Sequence, residues 1–135
     1  MSPMKKIVFI CYGNACRSQM SEGLFRNIGN ESFEIFSAGT NPLGSIPEEV
    51  FRVLKKRGID ASRQYSKGLG EIPLLEMDYV INMGYYPVAD FLPNDFSGYA
   101  VDWEIEDPYG DSLETYERVC QVLEQRLQRW LASRR

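Results

Sequence analysis

The feature that most constrains this chain is a change of hydrophobic period close to its N-terminus. Lys6-Ile7-Val8-Phe9-Ile10 is a short apolar, largely β-branched run, which reads as a buried strand. From Ser18 the apolar residues Met20, Leu24, Phe25 and Ile28 recur at helix spacing, and the pattern stops near Gly29-Asn30. A strand that feeds a helix through so short a connection opens a βα unit. A chain that repeats such units builds a mostly parallel sheet covered on both faces.

The repetition is present. Phe33 to Phe36 is a second strand, and Pro47-Glu48-Glu49 opens a helix whose first-turn acids suit the dipole. Val50, Val53 and Leu54 line that helix's inner side and Gly58 ends it. Tyr79 to Met83 is a third strand and Tyr99 to Trp103 a weaker fourth. The last helix runs from about Leu113 to Leu131, with Leu113, Tyr116, Cys120, Leu123, Leu127 and Trp130-Leu131 as its apolar stripe. Four strands in 135 residues imply an α/β fold with one domain, residues 1–135. In such sheets ligands sit beyond the carboxyl ends of the strands at the switch point, where Cys11 lies.

Composition narrows the chemistry. The net charge is −4, so nucleic acid and anionic membrane are not expected partners, and any anion must be held by a local site. No apolar run approaches the roughly 20 residues of a membrane span, and the run before Cys11 is too short for a signal peptide. Three cysteines, Cys11, Cys16 and Cys120, are too few and odd in number for a disulfide framework, and a reduced cytoplasmic setting fits. The chain has no histidine, which removes Ser-His and Cys-His catalysis and most zinc sites. No metal or cofactor is expected.

The junction reads Cys11-Tyr12-Gly13-Asn14-Ala15-Cys16-Arg17-Ser18. A strand-to-helix loop can curl so that successive N–H groups form an anion nest, to which the helix adds its own free N–H groups and dipole. Gly13 and Asn14 tolerate the positive φ that a tight curl needs. Arg17 can give two parallel hydrogen bonds to a tetrahedral oxyanion. Helix N-termini and arginines favour a thiolate, so a cysteine at the base of this loop needs no histidine, and Ser18 can donate to its sulfur. The donors that hold phosphate would also stabilise its transition state. The same residues admit a plainer reading, with Cys11 a small buried hydrophobe and Arg17 a surface charge.

The segment Val8 to Ser18 resembles the signature of the low-molecular-weight protein tyrosine phosphatase family. Ser37-Ala38-Gly39-Thr40 is similar to that family's segment after the second strand, and Asp107-Pro108-Tyr109 to its general-acid loop. The resemblance covers nearly the whole chain. It implies a four-stranded parallel sheet flanked by helices in flavodoxin-like order, with the oxyanion loop after the first strand. It implies that Cys11 attacks phosphorus and forms a thiophosphate, that Arg17 binds the phosphoryl oxygens, and that Asp107 protonates the leaving oxygen and later activates water. Asn14 would hold the loop through Ser18 and Ser37. Tyr12, Gly13, Asn14, Ala15, Cys16, Ser18 and Tyr109 would line the substrate site, with Tyr12 and Tyr109 as cleft walls and Leu43 near the rim. On the residues alone Asp107 is also an ordinary turn former, with Asp102 nearby as another candidate acid. The implied partner is a phosphotyrosine protein or a small phosphate ester, phosphoarginine included. Phosphate and sulfate should bind.

The thioredoxin-coupled arsenate reductases are similar in fold and loop, and arsenate mimics phosphate. They add a pair of resolving cysteines after the third strand. Here Asn82 to Pro93 has none, and Cys120 lies on an apolar helix stripe. Reductase activity would therefore need an external thiol. A binding module without turnover is the third reading, opposed by the intact Cys11, Arg17 and Asp107. Cys16 reads as a redox guard for Cys11 or as filler of the loop interior.

Overall fold

The computed structural model describes residues 4–134. The apolar run near the N-terminus is β1 (Lys5–Cys11), buried from Ile7 onward because both faces of the sheet are covered there, Ile7 and Phe9 in one cluster and Val8 and Ile10 in the other. It pairs in parallel with β2 (Phe33–Gly39), from Lys5 opposite Phe33 to Cys11 opposite Gly39. On its other edge it pairs with β3 (Tyr79–Asn82), which pairs in turn with β4 (Tyr99–Asp102). The order β2-β1-β3-β4, all parallel, is the flavodoxin-like order expected. β3 and β4 each end one residue sooner than the sequence suggested. Met83 and Trp103 still donate ladder hydrogen bonds, to Ile10 O and Asn82 O.

The helices are α1 (Arg17–Ile28), α2 (Glu48–Lys55) and α3 (Leu113–Ala132). All three pack on the face that carries Ile7, Phe9 and Ile81. The stripe of α3 is buried from Tyr116 to Leu131, and Ser112 caps its first turn by accepting from Thr115 N. Phe25 of α1 meets Phe9, Phe33 and Trp130 edge-on, contacts worth about 0.5–1.5 kcal/mol each beyond burial. Both faces of the sheet are covered, but unequally. Opposite the helices, Val8, Ile10, Ala38 and Val80 pack against Ile72, Met77, Leu69, Leu74 and Phe91. Those residues belong to loops with short 3₁₀ turns (Leu69–Glu71, Leu74–Glu76, Val88–Asp90), not to an α-helix. Among the described residues no helix is long and apolar enough to cross a membrane.

From β1 the chain moves to opposite sides for β2 and β3, so a crevice opens where β1 and β3 end. Cys11 and Gly84 stand side by side at this end, so close that a Cβ on Gly84 would meet Cys11 C at 3.1 Å.

Candidate active site

The loop between β1 and α1 curls because its carbonyls are pulled outward. Thr40 N, Asn41 N and Leu43 N donate to the carbonyls of Cys11, Tyr12 and Gly13 at 3.1, 2.8 and 2.8 Å, and Gln19 Nε2 donates to Asn14 O at 3.1 Å. In a trans peptide each N–H points opposite the preceding C=O. The N–H groups of Tyr12, Gly13, Asn14 and Ala15 therefore turn inward, toward the first turn of α1. Asn14 takes φ +47°, the one positive φ outside glycine among the described residues. Its buried side chain donates to Ser18 Oγ at 2.8 Å, and its Oδ1 accepts from Gln19 Nε2 at 2.8 Å and Lys67 N at 2.9 Å. Gly39 lies so close behind the loop that a Cβ there would meet Tyr12 O at 2.7 Å, which excludes any larger residue.

At the base of the curl Cys11 Sγ lies 2.9 Å from Ser18 Oγ. Arg17 begins α1 and is 4% exposed. Its Nη1 donates to Met83 O at 2.5 Å and Ile105 O at 3.3 Å, which fixes the guanidinium plane. Its buried Nε has no partner among the described residues, and its Nη2 stands 3.6 Å from Asp107 Oδ2. Asp107 also accepts from Tyr85 OH at 2.5 Å and Tyr109 N at 3.1 Å. Cys11, Arg17 and Asp107 line one cavity of about 230 Å³, walled by Tyr12, Tyr85, Tyr109 and Leu43 and floored by Gly13, Ala15 and Cys16. It combines a nucleophilic atom, a planar two-pronged cation, a nest of N–H groups and a carboxylate.

The family model of the low molecular weight phosphotyrosine protein phosphatases matches residues 6–135. The chain belongs to this family. Within it, relatives of both chemistries lie near. The glutaredoxin arsenate reductase of Synechocystis sp. is 31% identical over 132 residues, 96% of this chain and 98% of its own. An arsenate reductase solved in its phosphate-binding state superposes with TM-score 0.82 at 31% identity, over 96% of this chain and 98% of that one. A low molecular weight protein tyrosine phosphatase from T. tengcongensis gives TM-score 0.80 at 29% identity, over 96% and 99%. Among curated relatives the name arsenate reductase recurs, which favours the reading that the sequence put second.

Against the expectations for a member of this family, Tyr12, Gly13, Ala15, Cys16, Tyr109 and Leu43 all line the cavity. Ser18 and Asn14 stand behind it. Ser37 is the correction: it does not reach Asn14. It donates to Glu22 Oε1 at 2.5 Å and accepts from Lys67 Nζ at 3.2 Å, because a buried carboxylate and ammonium on either side outcompete a neutral amide. Burial pushes the Lys67 ammonium below its ordinary range, against the opposing pull of Glu22. Asp102 is spoken for elsewhere, accepting from Asn82 Nδ2 and Val88 N at 2.7 and 2.9 Å. Cys120 is fully buried in the core, as its stripe position implied. Burial pushes the Cys16 thiol up to about 12, against a hydrogen bond from Cys16 to Tyr116 OH at 3.6 Å. Sequence reasoning missed Tyr85, Gln19 and Lys67. The run of tyrosines after β3 was the one available sign for the first.

Proposed function

We propose that this protein is a cysteine-dependent phosphomonoesterase that acts on aryl phosphates, phosphotyrosine in proteins among them. The phosphoryl group sits in the loop, held by the inward N–H groups and by Nε and Nη2 of Arg17. Cys11 Sγ attacks phosphorus as the ester P–O bond breaks, and the carboxyl of Asp107 gives its proton to the leaving oxygen. Water then attacks the thiophosphate, its proton passes to the Asp107 carboxylate, and the S–P bond breaks to free phosphate and the thiolate. The charge that builds on the equatorial oxygens meets donors already in place, so little reorganisation opposes the reaction. A free oxyanion such as phosphate or sulfate occupies the same cradle.

The observation that carries this reading is what stands beside Cys11 after β3. Tyr85 lines the cavity there, and the segment from Asn82 to Pro93 has no thiol. The aromatic walls suit an aryl leaving group, and the segment after β3 holds no thiol to relay oxidation away from the loop. Arsenate reduction is the second reading, favoured by the names of the relatives. Cys11 would displace water from arsenate, and an external thiol would attack Cys11 Sγ. The S–As bond breaks with its electron pair left on arsenic, which gives arsenite and a mixed disulfide that a second external thiol reduces.

The deciding experiment is parallel kinetics on phosphotyrosine, phosphoarginine and, with thioredoxin or glutaredoxin systems, arsenate. The expected result is turnover of phosphotyrosine, lost in Cys11→Ser while phosphate still binds. Thiol-dependent arsenate turnover with no aryl phosphate hydrolysis would replace the first reading by the second. Oxyanion binding with no turnover of any substrate would leave a binding module.

A further inference from the structure

We infer that Tyr85 is the positioning residue that sets when Asp107 gives up its proton and where the carboxylate points to take one back. The inference deepens the hydrolase reading and rests on it. The end of β3 fixes the backbone of Tyr85: Gly84 N donates to Asn82 Oδ1 at 3.1 Å, and Asn82 Nδ2 donates to Tyr86 O at 2.7 Å. The side chain is 63% exposed, and its ring is braced on its inner side, with the Arg17 guanidinium carbon 5.1 Å from its centroid and the Tyr12 ring at 5.4 Å. Held in this way, the hydroxyl meets Asp107 Oδ2 at 2.5 Å.

The groups that face Asp107 are few. Tyr109 N donates to Oδ1 from its own loop, Arg17 approaches Oδ2 from α1, and the thiols of Cys11 and Cys16 stand across the cavity. Neighbouring Glu106 turns away to Arg118, at 2.9 and 3.0 Å. Both oxygens of Asp107 thus face donors, the arrangement that suits its ionised form. When a phosphoryl group engages Arg17, the Tyr85 hydroxyl is the side-chain donor left to the carboxylate. Tyr85 is well suited to stay a donor, because its hydrogen bond to Asp107 raises it above the ordinary phenol range. The consequence is a carboxyl that keeps a donor on Oδ2 through the reaction and is held oriented, first toward the leaving oxygen and then toward the water that follows. Nothing in the signature loop supplies this; it comes from a residue 22 positions earlier in the chain.

The test is Tyr85→Phe, which keeps the ring and its stacking and removes only the donor. The measurement is the pH profile of kcat/KM on phenyl phosphate, a poor leaving group, beside p-nitrophenyl phosphate, a good one. The basic limb, where the acid loses its proton, should move up by about one pH unit. In an Asp107→Asn background Tyr85→Phe should change the rate by less than about twofold, because it acts through a carboxyl no longer there. A basic limb that stays in place, or an equal loss in both backgrounds, overturns the inference. Should the wild type hydrolyse neither ester, the hydrolase reading fails by itself. The Asp107 carboxyl can then be titrated by carbon-13 NMR in both proteins, and a midpoint in Tyr85→Phe no higher than in wild type overturns the inference independently.

Discussion

Asn14 carries the shape of the loop, and its replacement should be costly in a way that two variants can divide. The Asn14→Ala change leaves Lys67 N–H buried without its acceptor, a loss of about 1–3 kcal/mol, and takes the donor from Ser18 Oγ, about 1 kcal/mol more. Gln19 Nε2 is not orphaned, because the backbone carbonyls of Asn14 and Tyr65 still accept from it. An alanine at φ +47° adds about 1–2 kcal/mol that asparagine largely escapes. Together these come to about 3–6 kcal/mol, a large share of a typical domain stability of about 5–15 kcal/mol. Asn14→Gly has no side-chain strain at that φ and should lose only about 2–4 kcal/mol. With a urea m-value of about 2 kcal/mol/M, the midpoint should drop by roughly 1.5–3 M for alanine and 1–2 M for glycine. Aryl phosphate turnover should fall in both. A glycine variant as stable as wild type would show that the amide's hydrogen bonds hold nothing. Equal losses in the two variants would show that the left-handed backbone is not a constraint.

Asp107→Asn should slow hydrolysis of a poor leaving group by on the order of 10²–10⁴ and of an activated aryl ester far less; equal slowing of both would move the acid elsewhere. Peroxide should inactivate the enzyme reversibly through a Cys11–Cys16 disulfide seen by peptide mapping. Cys16→Ser should keep activity but recover poorly with thiol, because sulfenic acid then proceeds to sulfinic acid; a Cys11–Cys120 link would refute this. Burial holds the Cys120 thiol at about 12, so its contribution to stability is whole below the ordinary thiol value of about 8.5 and is lost as pH climbs toward 12. Cys120→Val should therefore lose less stability than wild type between pH 7 and 10.5, by about 2.5–3 kcal/mol from urea midpoints, and an identical decline in both proteins would contradict it.

The parts of the site that share one short stretch were legible in the sequence. Cys11, Asn14, Arg17 and Ser18 act on one another across a few residues, and the period change on either side places them at a strand end. The tertiary parts were less so. Ser37 lay where the resemblance put it, yet which polar neighbour it prefers depends on Glu22 and Lys67, brought in from α1 and from the segment after α2. Tyr85 is one of eight tyrosines, and only the register of β3 against β1 turns it toward Arg17 and Asp107. Strand alternation implied covered faces. It could not say that loops and 3₁₀ turns cover one of them, because short apolar clusters such as Leu74-Leu75 carry no long period.

The anchoring of Arg17 reaches beyond catalysis to the history of each molecule. Its guanidinium is held by carbonyls 66 and 88 residues further along the chain, so a nascent or partly folded chain has the signature loop's sequence without its geometry. Such contacts are the slow ones to form, since distant segments must meet before they bring any gain. If the proposed cradle holds phosphate, the ligand distinguishes the finished protein from every earlier species, and should stabilise it by RT ln(1 + [L]/Kd). Its kinetic signature follows: an oxyanion should slow unfolding while leaving the refolding rate nearly untouched, because the ligand has nothing to grip until the last strands have docked.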